Sequence, residues 1–71
     1  MSCDGFEHGT RVRVLKEVVQ SGRVIAVGTV GTVEAVDREK HKIDVRFDEI
    51  GVIKSLPAHF FGFSEAVGLA H

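Results

Sequence analysis

Residues that do chemistry are few and scattered in this chain of 71 residues. Cys3 and His8 supply a thiol and an imidazole, two of the donor types of a zinc site. A structural zinc site takes four well-placed ligands, and no second cysteine or close histidine provides the rest. As a nucleophile Cys3 fares no better, because nothing in the sequence fixes a base beside it. Glu34, Asp37, Asp44, Asp48 and Glu49 are the carboxylates among which a catalytic pair would be sought. They fall at turns and on the wet side of alternating segments, where solvated charge is the expectation. His59, between Pro57 and Phe60, is the most constrained histidine. It reads either as a partly buried ring bonded to backbone or as a contact to a partner protein. A catalytic role needs neighbours that the sequence does not show. The chain is therefore expected not to be an enzyme, with no catalytic residue, no cofactor and no metal.

The remaining candidates are surface groups. Arg11, Arg13 and Arg46 point outward by alternation on what read as adjacent strands, with Lys54 joining them. Asp44 and Glu34 are available to pair with them across strands, each exposed pair adding roughly 0.2–1 kcal/mol. This face is either simply solvated or a docking surface for an acidic partner, whose approach the charge accelerates. Phe60, Phe61 and Phe63 cannot all enter one small core. Alternation puts Phe61 and Phe63 on one side and Phe60 on the other. A ring left outside would either anchor an interface or be covered by Phe6.

These groups must be carried by strands. Thr10–Leu15, Thr29–Asp37 and Lys42–Phe47 place apolar side chains at every second position, the pattern of a half-buried strand. Val12 and Val14 face inward in the first; Ile43, Val45 and Phe47 do so in the third. Val30, Val33 and Val36 are spaced by three, which with Gly28 and Gly31 present reads as a bent strand rather than a helix. A bulge near Gly31 would shift its inward parity by one residue. Lys16–Val27 is either a long excursion or a short hairpin turning at Ser21-Gly22. Charged residues 37–41 and residues 48–51 make turns, and Val52–Leu56 makes a fourth strand. Pro57–Phe60 forms a single 3₁₀ turn. Gly62 then lets Phe63–Val67 run as a fifth, edge strand. Residues 1–8 form a flexible arm with Phe6 available to the core, residues 9–67 the domain, and residues 68–71 a frayed tail.

Composition excludes several classes. Nine Lys and Arg against ten Asp and Glu leave a formal charge of −1, too balanced for a general nucleic-acid coat. Without Trp or Tyr, the chain lacks the side chains that line Pro-rich peptide grooves. One cysteine permits no internal disulfide, and no secretory-type leader is visible, which together point to a cytoplasmic protein. No apolar run approaches the roughly 20 residues that span a membrane. A single small domain is the expectation, of a size usually marginal without a disulfide, a metal or a partner, and an internal disulfide is excluded.

Five short antiparallel strands with a 3₁₀ turn before the last make the layout of an all-β, SH3-like barrel. Within it, Gly9-Thr10-Arg11-Val12-Arg13-Val14-Leu15, Gly28 through Val36, and Val45-Arg46-Phe47-Asp48 resemble the electron-transport accessory superfamily. Its members include subunit IV of photosystem I and the variable chain of ferredoxin–thioredoxin reductase. Ala58-His59-Phe60 followed by Ser64-Glu65 is similar to the ending of that variable chain. The resemblance implies a cofactor-free accessory subunit that docks on a larger redox or metabolic enzyme complex, through Arg11, Arg13, Arg46, Lys54, His59 and Phe60. Lys16–Val27 lacks the aromatic and Pro residues of the photosynthetic members, so a relative serving another enzyme complex, such as a nitrile-metabolising one, stays open. Val27-Gly28 through Lys40, followed by Lys42-Ile43-Asp44-Val45, also resembles the KOW motif of ribosomal and transcription proteins. That second resemblance implies an RNA-associated binding module.

Overall fold

The structure, a computed structural model, describes residues 5–64. The described chain is all-β apart from one 3₁₀ turn. Its strands are β1 (Arg11–Val14), β2 (Val18–Gln20), β3 (Arg23–Ile25), β4 (Val30–Asp37), β5 (Lys42–Phe47), β6 (Gly51–Pro57) and β7 (Phe61–Phe63). The 3₁₀ turn, Ala58–Phe60, separates β6 from β7. Five strands form one antiparallel sheet in the order β6-β5-β4-β1-β7, and β2 pairs with β3 alone. Cys3, residues 65–67 of the expected last strand and the tail at 68–71 lie outside the described residues.

The segment left open at Lys16–Val27 is the hairpin β2–β3. Ser21 and Gly22 both take positive φ, 54° and 76°, the pair of left-handed residues that a two-residue hairpin turn demands. Its ladder runs from Val18↔Ile25 to Gln20↔Arg23, and that of β1 and β4 from Arg11↔Thr32 to Arg13↔Val30. Paired residue numbers sum to 43 in both ladders. One ribbon, kinked where residues 15–17 and 26–29 leave the ladder, therefore carries all four strands. At the kink Thr29 N donates to Ala26 O at 3.2 Å, and Thr29 Oγ1 to the same oxygen at 2.7 Å.

The alternation read from the sequence sets the core. Val12, Val14, Val33, Ile43, Val45, Phe47 and Leu56 are each at most 1% exposed, joined by Val18 and Ile25 from the hairpin. Phe6 is buried with them, so this residue of the expected arm is a core residue. No polar or charged side chain is buried among the described residues.

Three expectations change. The bulge of β4 is at Glu34, not Gly31: the register shifts between Val33↔Val45 and Ala35↔Asp44. At Gly31 the constraint is close approach, since a Cβ there would lie 2.7 Å from Arg46 O and 3.0 Å from Phe47 Cα. A second bulge, in β6, falls between Ile53 and Leu56, opposite the same Asp44. The last strand is Phe61–Phe63 rather than Phe63–Val67, with Gly62 inside it and not a hinge before it. Burial explains the shift: Phe61 pairs with Val14 and enters the core beside Phe47. Phe63, opposite Val12, is instead 52% exposed with its ring edge-on to Phe6 at 5.0 Å.

Candidate functional site

Sheet order separates the arginines that alternation grouped together. Arg11 is on β1 and Arg46 on β5, with Thr32 of β4 standing between them as cross-strand neighbour of both. Each already holds a carboxylate. Arg11 Nη1 donates to Asp48 Oδ1 at 3.0 Å, and Nη2 to Oδ2 at 2.9 Å. Nη1 also reaches Thr32 Oγ1 at 3.0 Å. This fork matches the planar geometry of a carboxylate. The hydrogen bond from Arg11 holds the Asp48 carboxyl below the usual carboxylate range, against a smaller opposing push from desolvation. The same bond raises Arg11. Arg46 pairs with Glu34, Nε to Oε2 at 2.6 Å and Nη2 to the same oxygen.

Glu34 thus takes the role expected of it, and Asp44 does not. Asp44 Oδ1 accepts from Ser55 N at 2.9 Å instead, because the bulge of β6 turns that amide toward it. Ser55 carries φ of 60°, a left-handed conformation that a non-glycine residue adopts only under local constraint. Beside these bulges a shallow cleft of about 400 Å³ is lined by Ala35, Val36, Asp37, Lys40, Lys42, Asp44 and Ser55. Its charges balance, and its carboxylates are engaged by backbone amides, Asp37 Oδ1 by Lys40 N at 3.2 Å.

Arg13 and Lys54 have no ion-pair partner among the described residues. Lys54 lies on β6, at the opposite edge of the sheet order from β7. Arg13 lies between Val30 and Gly62 on the outer face, and Leu15, two residues on, points the same way. Leu15 is 49% exposed and covers Gly62, with its Cδ1 3.1 Å from where a Cβ would sit. Its amide donates to Phe60 O at 2.7 Å. Lys16 Nζ stands 5.2 Å over the Phe60 ring, a cation–π contact. His59 meets that ring edge-on at 4.7 Å. It is exposed, not the partly buried ring that was one expectation, because the 3₁₀ turn spends its inward position on Ala58.

Arg13 of β1, Leu15 and Lys16 just after it, and His59 and Phe60 are thus gathered where the 3₁₀ turn returns beside the end of β1, with the Phe60 ring partly buried against the core. Three of the six residues singled out in the sequence belong to this group: Arg13, His59 and Phe60. Leu15 was not singled out, although alternation puts it outward one step after the inward Val14. Lys16 was not, since its contact depends on where the 3₁₀ turn returns. Among the described residues no group of three or more His, Cys, Asp or Glu gathers to hold a metal ion. No helix there is long and apolar enough to cross a membrane. No protein-family model, curated protein or solved structure matches the chain.

Proposed function

We propose that the chain is a small SH3-like barrel acting as a non-enzymatic accessory domain that docks on a larger redox or metabolic enzyme complex. One connection supports the barrel. β6 and β7 are the outermost strands of the five, yet the three residues of Ala58–Phe60 join them. A 3₁₀ turn of that length rises about 6 Å, whereas the outer strands of a flat five-stranded array stand about 19 Å apart. A sheet that curls until its edges approach resolves the difference and shelters those edges.

The observation that carries the docking reading is the gathering of Arg13, Leu15, Lys16, His59 and Phe60. Unpaired or loosely engaged cations beside an exposed Leu and a half-buried aromatic ring suit a partner with carboxylates rimming an apolar contact. Arg11 and Arg46 contribute less, since Asp48 and Glu34 already neutralise them. Capture with the tagged protein from its native cell extract tests the reading. One defined protein should be retained, and Arg13→Glu with Lys16→Glu should lose it while Arg46→Ala keeps it. Retention by the double variant, or no defined partner, would sink the proposal.

A second reading, the KOW-type RNA-associated module, draws on Lys40 and Lys42 at the β4–β5 turn beside the cleft. Titration with RNA at low salt separates the two. Amide NMR shifts at residues 38–42 that fade with added salt favour the RNA module, and their absence favours docking.

A further inference from the structure

We propose that the cleft between the two bulges binds a small zwitterion of the α-amino acid class. The site is built around Asp44. The register breaks of β4 and β6 both fall opposite it, so its neighbours on either side leave the regular ladder. Bulges re-aim side chains and are common beside functional sites. Ser55 N fixes Asp44 Oδ1 at 2.9 Å, which leaves Oδ2 without a partner among the described residues. Ser55 lines the same cleft at φ of 60°, a conformation that glycine takes without strain. Its hydroxyl is therefore present at a cost to the fold, as is common where side chains meet ligands.

The unpaired charges define the ligand. Lys40 and Lys42 line the cleft with Asp44, and neither ammonium has an ion-pair partner among the described residues. Opposite charges thus share one cavity without meeting each other. A molecule carrying both a carboxylate and an ammonium bridges them. Its carboxylate accepts from the two lysines, and its ammonium donates to Asp44 Oδ2. A ligand with a single charge satisfies only one side. Ala35 and Val36 supply an apolar wall for a short aliphatic side chain. The volume of about 400 Å³ is at the small end of the roughly 300–1,000 Å³ of ligand pockets, which suits a molecule of this size. Arg13, Lys16 and Phe60, on which the docking proposal rests, take no part; the RNA reading shares Lys40 and Lys42.

Amide NMR of the intact chain, titrated with L-valine, tests the proposal. The cleft is shallow, so binding should be weak, with Kd of about 1 mM, and the saturable shifts should fall at residues 35–44 and 54–56. Isovalerate, which is valine without its amine, and isobutylamine, which is valine without its carboxylate, should each bind about tenfold more weakly or worse. Asp44→Asn keeps an oxygen for Ser55 N, so the bulge survives while the charge is lost. This variant should weaken valine about tenfold and leave isovalerate unchanged. Lys40→Gln with Lys42→Gln should weaken both. No saturable shift with valine, isovalerate or isobutylamine binding as well as valine, or an Asp44→Asn protein that binds valine as before would overturn the proposal. RNA that shifts residues 38–42 while valine does not would overturn it as well, giving the lysines to the RNA module. Asp44→Asn leaves Arg13, Lys16 and Phe60 in place, so loss of valine binding and loss of partner capture are read separately.

Discussion

The ribbon β1–β2–β3–β4 and the meander β4–β5–β6 solve the same problem in opposite ways. Along the ribbon one register persists from Arg11↔Thr32 to Gln20↔Arg23, through a kink that interrupts the ladder without shifting it. Along the meander the register breaks twice, at Glu34 and before Leu56, and both breaks face Asp44. The ribbon is governed by its own tip, where Ser21-Gly22 dictates the pairing of everything behind it. The meander is governed by its core. Val33 and Val36 have opposite parity in a regular strand, and the extra residue between them lets both pack inward. Local turn chemistry thus suffices for a ribbon, while a strand shared by two neighbours yields its register to packing.

The largest blow to this contrast is expected from Phe47→Ala in the meander. The ring is 1% exposed and lies 6.2 Å from that of Phe61, so its loss should remove about 3–5 kcal/mol in urea unfolding. That approaches the whole stability of a domain this small. Gly31→Ala follows, at about 1–3 kcal/mol, because the new methyl meets backbone of β5 that cannot withdraw without opening the sheet. Both changes should act on the entire unfolding transition; a second, separate transition for the hairpin would break the picture of one shared core.

The left-handed positions sharpen the comparison by sign. Gly22→Ala at the ribbon tip should destabilise by about 1 kcal/mol, with hydrogen exchange rising first across residues 18–25. Ser55→Gly in the meander should instead stabilise by about 0.5 kcal/mol, since the bulge holds a non-glycine residue at φ of 60°. Equal signs at the two sites would show that the β6 bulge adapts to its residue.

The smallest effect is electrostatic. Asp48 is held below the usual carboxylate range when folded, so its contribution is present at neutral pH and lost as pH falls through that depressed value. Asp48→Asn should flatten the acid limb of a stability-versus-pH curve and lower neutral stability slightly. High salt should diminish the difference between the two proteins.

Much of this was legible in the chain itself. Val12, Val14, Ile43, Val45 and Phe47 were assigned inward by alternation and are buried. Ser21-Gly22 announced the hairpin as one of two readings, and Pro57 the 3₁₀ turn, which begins one residue after it. The edge strand was misplaced because Gly62 reads locally as a hinge, whereas pairing of Phe61 with Val14 makes it an interior strand residue. For the site, alternation placed Arg11, Arg13 and Arg46 outward, and nothing local revealed that β4 separates β1 from β5. Asp48 as the partner of Arg11, and Lys16 as the neighbour of Phe60, depend on strand order and were invisible for that reason.

By itself the sequence determined which residues turn inward and where the chain reverses, because two-residue periodicity and left-handed turns are properties of a few consecutive residues. Tertiary structure alone decided the bulges around Asp44, the carboxylates that quench two of the three arginines, and the gathering of Arg13, Leu15 and Phe60 in one place. These depend on which strands lie side by side, and that order is settled only when distant segments compete for the same small core.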